Sequence, residues 1–298
     1  MNVRARLASE AAGAEMLLQG FGAVLVCDDR AALLHGHSAH LADFFPAFAP
    51  PFVGRGLREL FGSETTHRLR NALSRPLSRG RPALLAGCQL DGAEGLFDLS
   101  TYTVDEQAVI ELEPAAAAAP WAALDLLQIL IDRCREVESA PVLAQVAARL
   151  LASLLQYDSA VFARRHVGDE WEILGEQKRP SAPGCDSRAF GKLAGELRPG
   201  RLRLIADARA ATSALVRAPE AEPFDLGGCL LRAPSSAEII LAGEGDFAAS
   251  MALGLYVGGD LWGAIWCRSR APKNLSIAER AAVELFGDFL ALQARRFS

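Results

Sequence analysis

The sequence predicts an α+β protein made of two successive domains, each an antiparallel sheet flanked by helices. Three observations carry this. The chain has 298 residues, half of them apolar, which is enough for about two buried cores. Short apolar runs bounded by turn residues dominate residues 22–113 and recur after residue 159, the signature of strands joined by tight connections. Amphipathic helical patterns open and close the second half.

In the first half, Gly22 to Asp28 reads as a strand, followed by a turn at Asp29-Arg30 and a second short strand. Helical patterns cover Leu41 to Phe45 and Leu57 to Phe61. Three apolar strands follow at Pro82 to Leu90, Gly95 to Tyr102 and Ala108 to Glu113, separated by the polar turns Asp91-Gly92 and Asp105-Glu106. The proline-bounded alanine tract Pro114 to Pro120 reads as a linker. An amphipathic helix from Trp121 to Glu138 places Leu124, Leu127, Ile131 and Cys134 on one face, and a second helix spans Val142 to Leu155. Ser159 to His166 and Glu170 to Glu176 pair around Gly168-Asp169. A strand at Arg203 to Ile205, a long loop with Pro219 and Pro223, and a hairpin turned at Gly258-Gly259 come next. The closing helix from Ser276 to Phe297 starts with a capping box, Ser276 with Glu279.

A net charge of −5 and a pI near 5.6 give no global attraction for nucleic acid or anionic membranes, and no basic stripe with interleaved aromatics is present. Six cysteines occur without a CxxC pair, which fits a reducing cytoplasm. The N-terminus has no long apolar signal core, and the most hydrophobic later stretch is interrupted by Asp125, Gln128 and Asp132, so a soluble cytoplasmic protein is expected. No nucleophile elbow, phosphate loop or HExxH motif occurs, so no enzyme activity is expected.

The first element order is that of a PAS domain and the second is GAF-like, and several strings carry the comparison further. LLQGFGAVLV (17–26), RLIADARA (203–210), LGGCLLR (226–232) and DLWGAIWC (260–267) resemble, in order and spacing, the photosensory PAS–GAF segment of bacterial phytochromes. The resemblance divides the chain into an N-terminal segment (1–20), a PAS domain (21–113), a linker (114–120) and a GAF domain (121–298). It implies a signal-transduction role and an open-chain tetrapyrrole held in the GAF domain. Two basic residues that hold pigment propionates match Arg209 and Arg232. The resemblance also implies an N-terminal segment threaded through a GAF loop, with Leu18 in the threaded position.

Other matching positions depart from the family. The anchoring cysteine falls on Leu7, and no cysteine precedes Cys27. The plant-type cysteine and the pocket histidine fall on Ala237 and Glu238, and the aspartate of the Ser-Asp-Ile-Pro motif falls on Arg188. Two pocket tyrosines correspond to Ala163 and Leu241, and the second pocket histidine to Arg268. Strand alternation puts Trp266 on the face of Arg268, where its bulk overfills a pigment site at a cost of about 1–3 kcal/mol. Glu238 is expected to pair with Arg188 or Arg268, since a buried carboxylate needs a partner. The expectation is therefore a pocket filled by its own side chains, with no cofactor. The alternative is a sensor that binds a biliverdin-type bilin or another anionic ligand non-covalently through Arg209 and Arg232.

Remaining candidates read as structural. His35, His37 and His40 resemble a metal cluster, but no carboxylate or cysteine completes a set, and solvated histidines are expected. Cys185 and Cys229 lie in loops and read as inert thiols. Trp262 and Trp266 resemble an aromatic cradle, although core packing is the commoner reason for such residues in a strand. Apolar residues on the closing helix, including Val283, Leu285, Phe286, Phe289, Leu290 and Leu292, cover more than one stripe. A homodimer through this helix is expected, with a downstream signalling protein as a further partner.

Overall fold

The computed structural model describes residues 16–75, 81–116, 120–219 and 226–297. The chain divides into two compact units: Met1–Leu77, Pro82–Ala115 and Ala211–Ala233 form the first, and Ser78–Arg81, Ala116–Ala210 and Pro234–Ser298 the second. The continuous span expected for the second domain is thus interrupted, because residues 211–233 pack with the first unit. Both units are antiparallel sheets with helices, as the patterning predicts.

In chain order the first unit contributes β1 (Leu17–Gln19), β2 (Ala23–Cys27), β3 (Leu34–Ser38), α1 (Leu41–Phe44), α2 (Leu57–Leu73), β4 (Ala83–Gln89), β5 (Leu96–Val104) and β6 (Gln107–Pro114). The second contributes α3 (Pro120–Cys134), α4 (Ala140–Leu154), β7 (Ser159–Arg165), β8 (Trp171–Lys178), α5 (Arg188–Ala194) and β9 (Leu202–Ile205). The chain returns to the first unit with β10 (Thr212–Arg217), then completes the second with α6 (Ser236–Glu244), β11 (Ala249–Val257), β12 (Asp260–Ser269) and α7 (Ile277–Ala294).

The first sheet has the order β1-β10-β3-β2-β6-β5-β4. All five residues of β2 are buried because both faces of the sheet are covered. Leu25 and Cys27 join Leu57, Leu60, Phe61 and Leu69 of α2 in one core. Val24 and Val26, pointing the other way, meet Leu18, Tyr102, Val109, Cys229 and Leu231 in a second. Helix α2 runs twelve residues beyond the expected end at Phe61; Gly62, at φ 75°, kinks the path there, and Thr65, Thr66 and Leu69 are buried beyond the kink.

The loop expected before Pro219 contains β10, which pairs with β1 through Leu17↔Ala214 and with β3 through Val216↔His37. Strand β1 is also held from its other side. Gln19 N–H donates to Leu231 O at 2.7 Å, Ala233 N–H donates to Leu17 O at 2.9 Å, and the Gln19 amide donates to Leu230 O and Arg232 O at 3.3 and 3.1 Å. The N-terminal strand is therefore clasped between the two ends of residues 211–233, with Leu18 fully buried, as the resemblance implies. The Glu111 carboxylate fastens the far end, accepting from Leu231 N–H at 2.9 Å and from the Cys229 thiol at 3.3 Å. Pro223, Leu7 and the middle of the linker, residues 117–119, lie outside the described residues.

The histidines correct the expectation of solvation. His37 is 7% exposed and packs edge-on to Phe52. Burial lowers its pKa from the ordinary imidazole value. The His40 ring bonds the Gly22 carbonyl oxygen at 3.0 Å. No cluster of three or more metal-ligating side chains occurs among the described residues.

The second sheet has the order β8-β7-β12-β11-β9. Gly258 and Gly259, at φ 66° and 102°, form the β11–β12 turn. Helices α4 and α7 pack on one face and α3 lies against α7. On α3 the buried residues are Ala123, Leu130 and Cys134; Leu124, expected on the core face, is 58% exposed. Gly287 brings α7 close to β11, since a Cβ there would lie 2.4 Å from Leu253 Cδ2. Both capping contacts of Ser276 and Glu279 are present at the start of α7. Among the described residues no helix is long and apolar enough to cross a membrane.

Candidate functional site

The other face of the second sheet, beneath α5 and α6, holds the positions marked by the sequence. Val161 and Ala163 of β7, Ala252 of β11, and Ala264 and Trp266 of β12 point into it by strand alternation. Helix α5 adds Ala189, Phe190 and Leu193, and α6 adds Leu241. Phe190 is wholly buried, stacked on Trp171 at 5.4 Å and edge-on to Trp266 at 6.2 Å. Small residues on three strands thus face large rings from β8, α5 and β12, and the rings fill the volume.

Glu238 is the third residue of α6, where its carboxylate accepts the Ser235 backbone N–H at 2.8 Å in a capping box. It makes a two-pronged ion pair with Arg203 of β9, with Nε to Oε1 and Nη2 to Oε2 both at 2.8 Å. The side chains are 2% and 5% exposed. The expected partners are therefore wrong. Arg188 lies at the surface, 88% exposed at its side chain and paired with Asp186, because α5 turns it away from the sheet. Arg268 is 4% exposed but donates to Ser159 Oγ at 2.7 Å and lies over the rings of Phe247 and Trp266. Arg203 was missed, although a charged residue inside the apolar run RLRLIA was a legible signal that a buried partner exists.

The two propionate-matching arginines fall in different units. Arg209 belongs to the second, with its side chain 57% exposed and 2.6 Å from Asp246, which is more exposed still. Arg232 belongs to the first, where its backbone bridges to Leu18. Trp262 does not join Trp266 in a cradle. A register shift at Leu255/Tyr256 leaves it as the extra residue of β12, edge-on to Phe162 at 6.2 Å. Burial pushes the Cys185 thiol up to about 11 and the Cys229 thiol well above its ordinary value, so both are protonated at neutral pH.

The space left among Ile205, Glu238, Phe247, Ser250, Trp266 and Arg268 is about 10 Å³. That is close to one water-sized body.

Comparison with known proteins follows the same outline. A family model described as a PAS fold matches residues 9–115. The chromophore-binding domain of the Stigmatella aurantiaca bacteriophytochrome in the Pr state superposes with a TM-score of 0.82 at 19% identity, covering 94% of this chain and 95% of that one. The wild-type domain of a phytochrome from the same organism gives 0.82 at 21% identity, covering 93% and 95%. The fold is that of a phytochrome chromophore-binding module. In sequence, phytochrome B-2 of Glycine max is 22% identical over 93% of this chain, and the bacteriophytochrome of Pseudomonas aeruginosa is 26% identical over 65%. The chain spans 27% and 28% of the length of these two phytochromes. Against the tetrapyrrole that the resemblance implies, the residues present do not fit: Phe190, Leu241 and Trp266 fill this face of the sheet, and the space beside Glu238, Trp266 and Arg268 is about 10 Å³, whereas a ligand of that class needs a cleft of roughly 300 Å³ or more.

Proposed function

We propose that the chain is a phytochrome-like signal-transduction module whose second-unit pocket is closed by its own side chains, so that it acts through protein contacts and neither through a pigment nor through catalysis. The observation that carries this reading is the filled pocket. Trp266, Leu241 and Phe190 occupy it, and the Arg203–Glu238 pair ties α6 to β9 beside them. Leucine at position 7 and alanine at 237 leave the two family attachment positions without a thiol. Six free cysteines suit a reducing, cytoplasmic setting. The exposed Leu285 and Leu292 of α7, at 46% and 60%, supply an apolar band for a second copy of the chain.

A second reading rests on Arg209. Its ion pair with Asp246 is exposed and therefore weak, which leaves the guanidinium available to an anionic ligand. Mixing the purified protein with biliverdin and recording the far-red absorption separates the two. A colourless protein is expected; a stoichiometric red-shifted band that changes on illumination overturns the closed-pocket reading.

A further inference from the structure

Arg268 carries a buried charge that its neighbours do not balance. Its guanidinium lies between the rings of Phe247 at 4.6 Å and Trp266 at 4.8 Å, and Nη2 donates to Ser159 Oγ. Its Nε is buried without an acceptor, and so is Nε1 of Trp266. Among the described residues no carboxylate forms an ion pair with Arg268. Glu176 acts on it only at longer range, and burial lowers its pKa. The adjacent Glu238 carboxylate is matched by Arg203. Two fully buried cations, Arg203 and Arg268, thus meet one fully buried anion, and the half-buried Glu176 offsets the remaining charge only from a distance. Ring faces attract a desolvated guanidinium, but by less than it costs to take the ion out of water.

The same three residues, Arg268, Trp266 and Glu238, line the 10 Å³ space together with Ser250. A guanidinium and an indole N–H can only donate, and a hydroxyl can turn to do so. We propose that this space binds a single monatomic anion, of which chloride is the probe, with Arg268 supplying the charge and Trp266 and Ser250 the neutral donors. The volume excludes polyatomic oxyanions. A water molecule would satisfy a donor without offsetting the charge.

The test uses the full chain in buffers of constant ionic strength in which chloride replaces gluconate stepwise. Tryptophan-detected unfolding is expected to shift with the logarithm of the chloride concentration once chloride exceeds its Kd, reaching about 100-fold in the folding equilibrium when chloride is a hundred times its Kd. Bromide is expected to act likewise and to quench tryptophan emission, while sulfate does neither. Arg268→Met is expected to abolish the chloride dependence. Should that variant not fold, Trp266→Phe keeps the charge, removes one donor, and is expected to raise several-fold the chloride concentration at which the stabilisation sets in. Chlorine-35 line broadening that bromide competes away gives a direct readout on the unaltered protein. Identical unfolding in chloride and gluconate, or a dependence that persists in Arg268→Met, overturns the proposal.

Discussion

Removing one partner of the Arg203–Glu238 pair is expected to cost far more than removing both. The two side chains are 5% and 2% exposed and share two hydrogen bonds of 2.8 Å. Glu238→Leu leaves the buried guanidinium without its carboxylate, and Arg203→Met leaves the buried carboxylate without its cation. Either single change is expected to destabilise the second unit by about 3–5 kcal/mol. The double variant places apolar groups of similar volume in contact and regains most of this. What remains is the lost acceptor for Ser235 N–H, about 0.5–2 kcal/mol. The coupling energy from the four-member cycle should therefore exceed about 2 kcal/mol. All four tryptophans lie at residues 121, 171, 262 and 266, inside the second unit, so their fluorescence reports its unfolding in urea. With an m-value of about 2 kcal/mol/M, each single variant should lower the midpoint by more than about 1 M. Single costs below about 1 kcal/mol, or a double variant as unstable as the sum of the singles, would refute the reasoning.

Trp266→Ala should destabilise the same unit by about 3–5 kcal/mol, because the ring is 4% exposed and its neighbours are held by β-sheet backbone; a cost below about 1 kcal/mol in urea unfolding contradicts the packing described. Leu18→Ala should cost the first unit about 2–5 kcal/mol and lower amide-exchange protection across Thr212–Arg217, whereas unchanged protection there would show that β1 does not hold the clasp. Burial holds the His37 pKa below the ordinary 6.5, so the unfolded chain takes up the proton first; this stability is whole above about pH 6.5 and is lost as pH falls through the folded value, at up to about 1.4 kcal/mol per pH unit. His37→Gln should remove that slope from circular-dichroism unfolding of the first unit, and equal slopes exclude the assignment. Leu285→Glu with Leu292→Glu should convert the expected dimer to a monomer in analytical ultracentrifugation without loss of helix; a sedimentation coefficient unchanged from the unsubstituted protein removes the role given to α7.

Much of the fold was legible because its causes are local. Gly168-Asp169 and Gly258-Gly259 take positive φ as such turns require, and Ser276 with Glu279 caps α7 where the spacing predicts. Alternation along β12 correctly placed Trp266 and Arg268 on one face. Errors arose where a local pattern met a distant constraint. The pattern ends helix α2 at Phe61 because Gly62 breaks its dihedrals, whereas burial of Thr65 and Leu69 carries the helix onward. Periodicity puts Leu124 on the core face, yet α3 presents Leu130 and Cys134 to its neighbours.

The amino-acid sequence by itself determined most of the strands and helices and their turns and caps, since these depend on residue type and near neighbours. Only the tertiary structure decided that Thr212–Arg217 is a strand, because its partners lie near residues 18 and 37 and an isolated strand has no ladder to join. It also decided that Glu238 pairs with Arg203 and that, among the described residues, no carboxylate forms an ion pair with Arg268. Which buried charges meet is set by how strands and helices stack across the core, and the cost of leaving a buried charge unmatched appears only once that stacking exists.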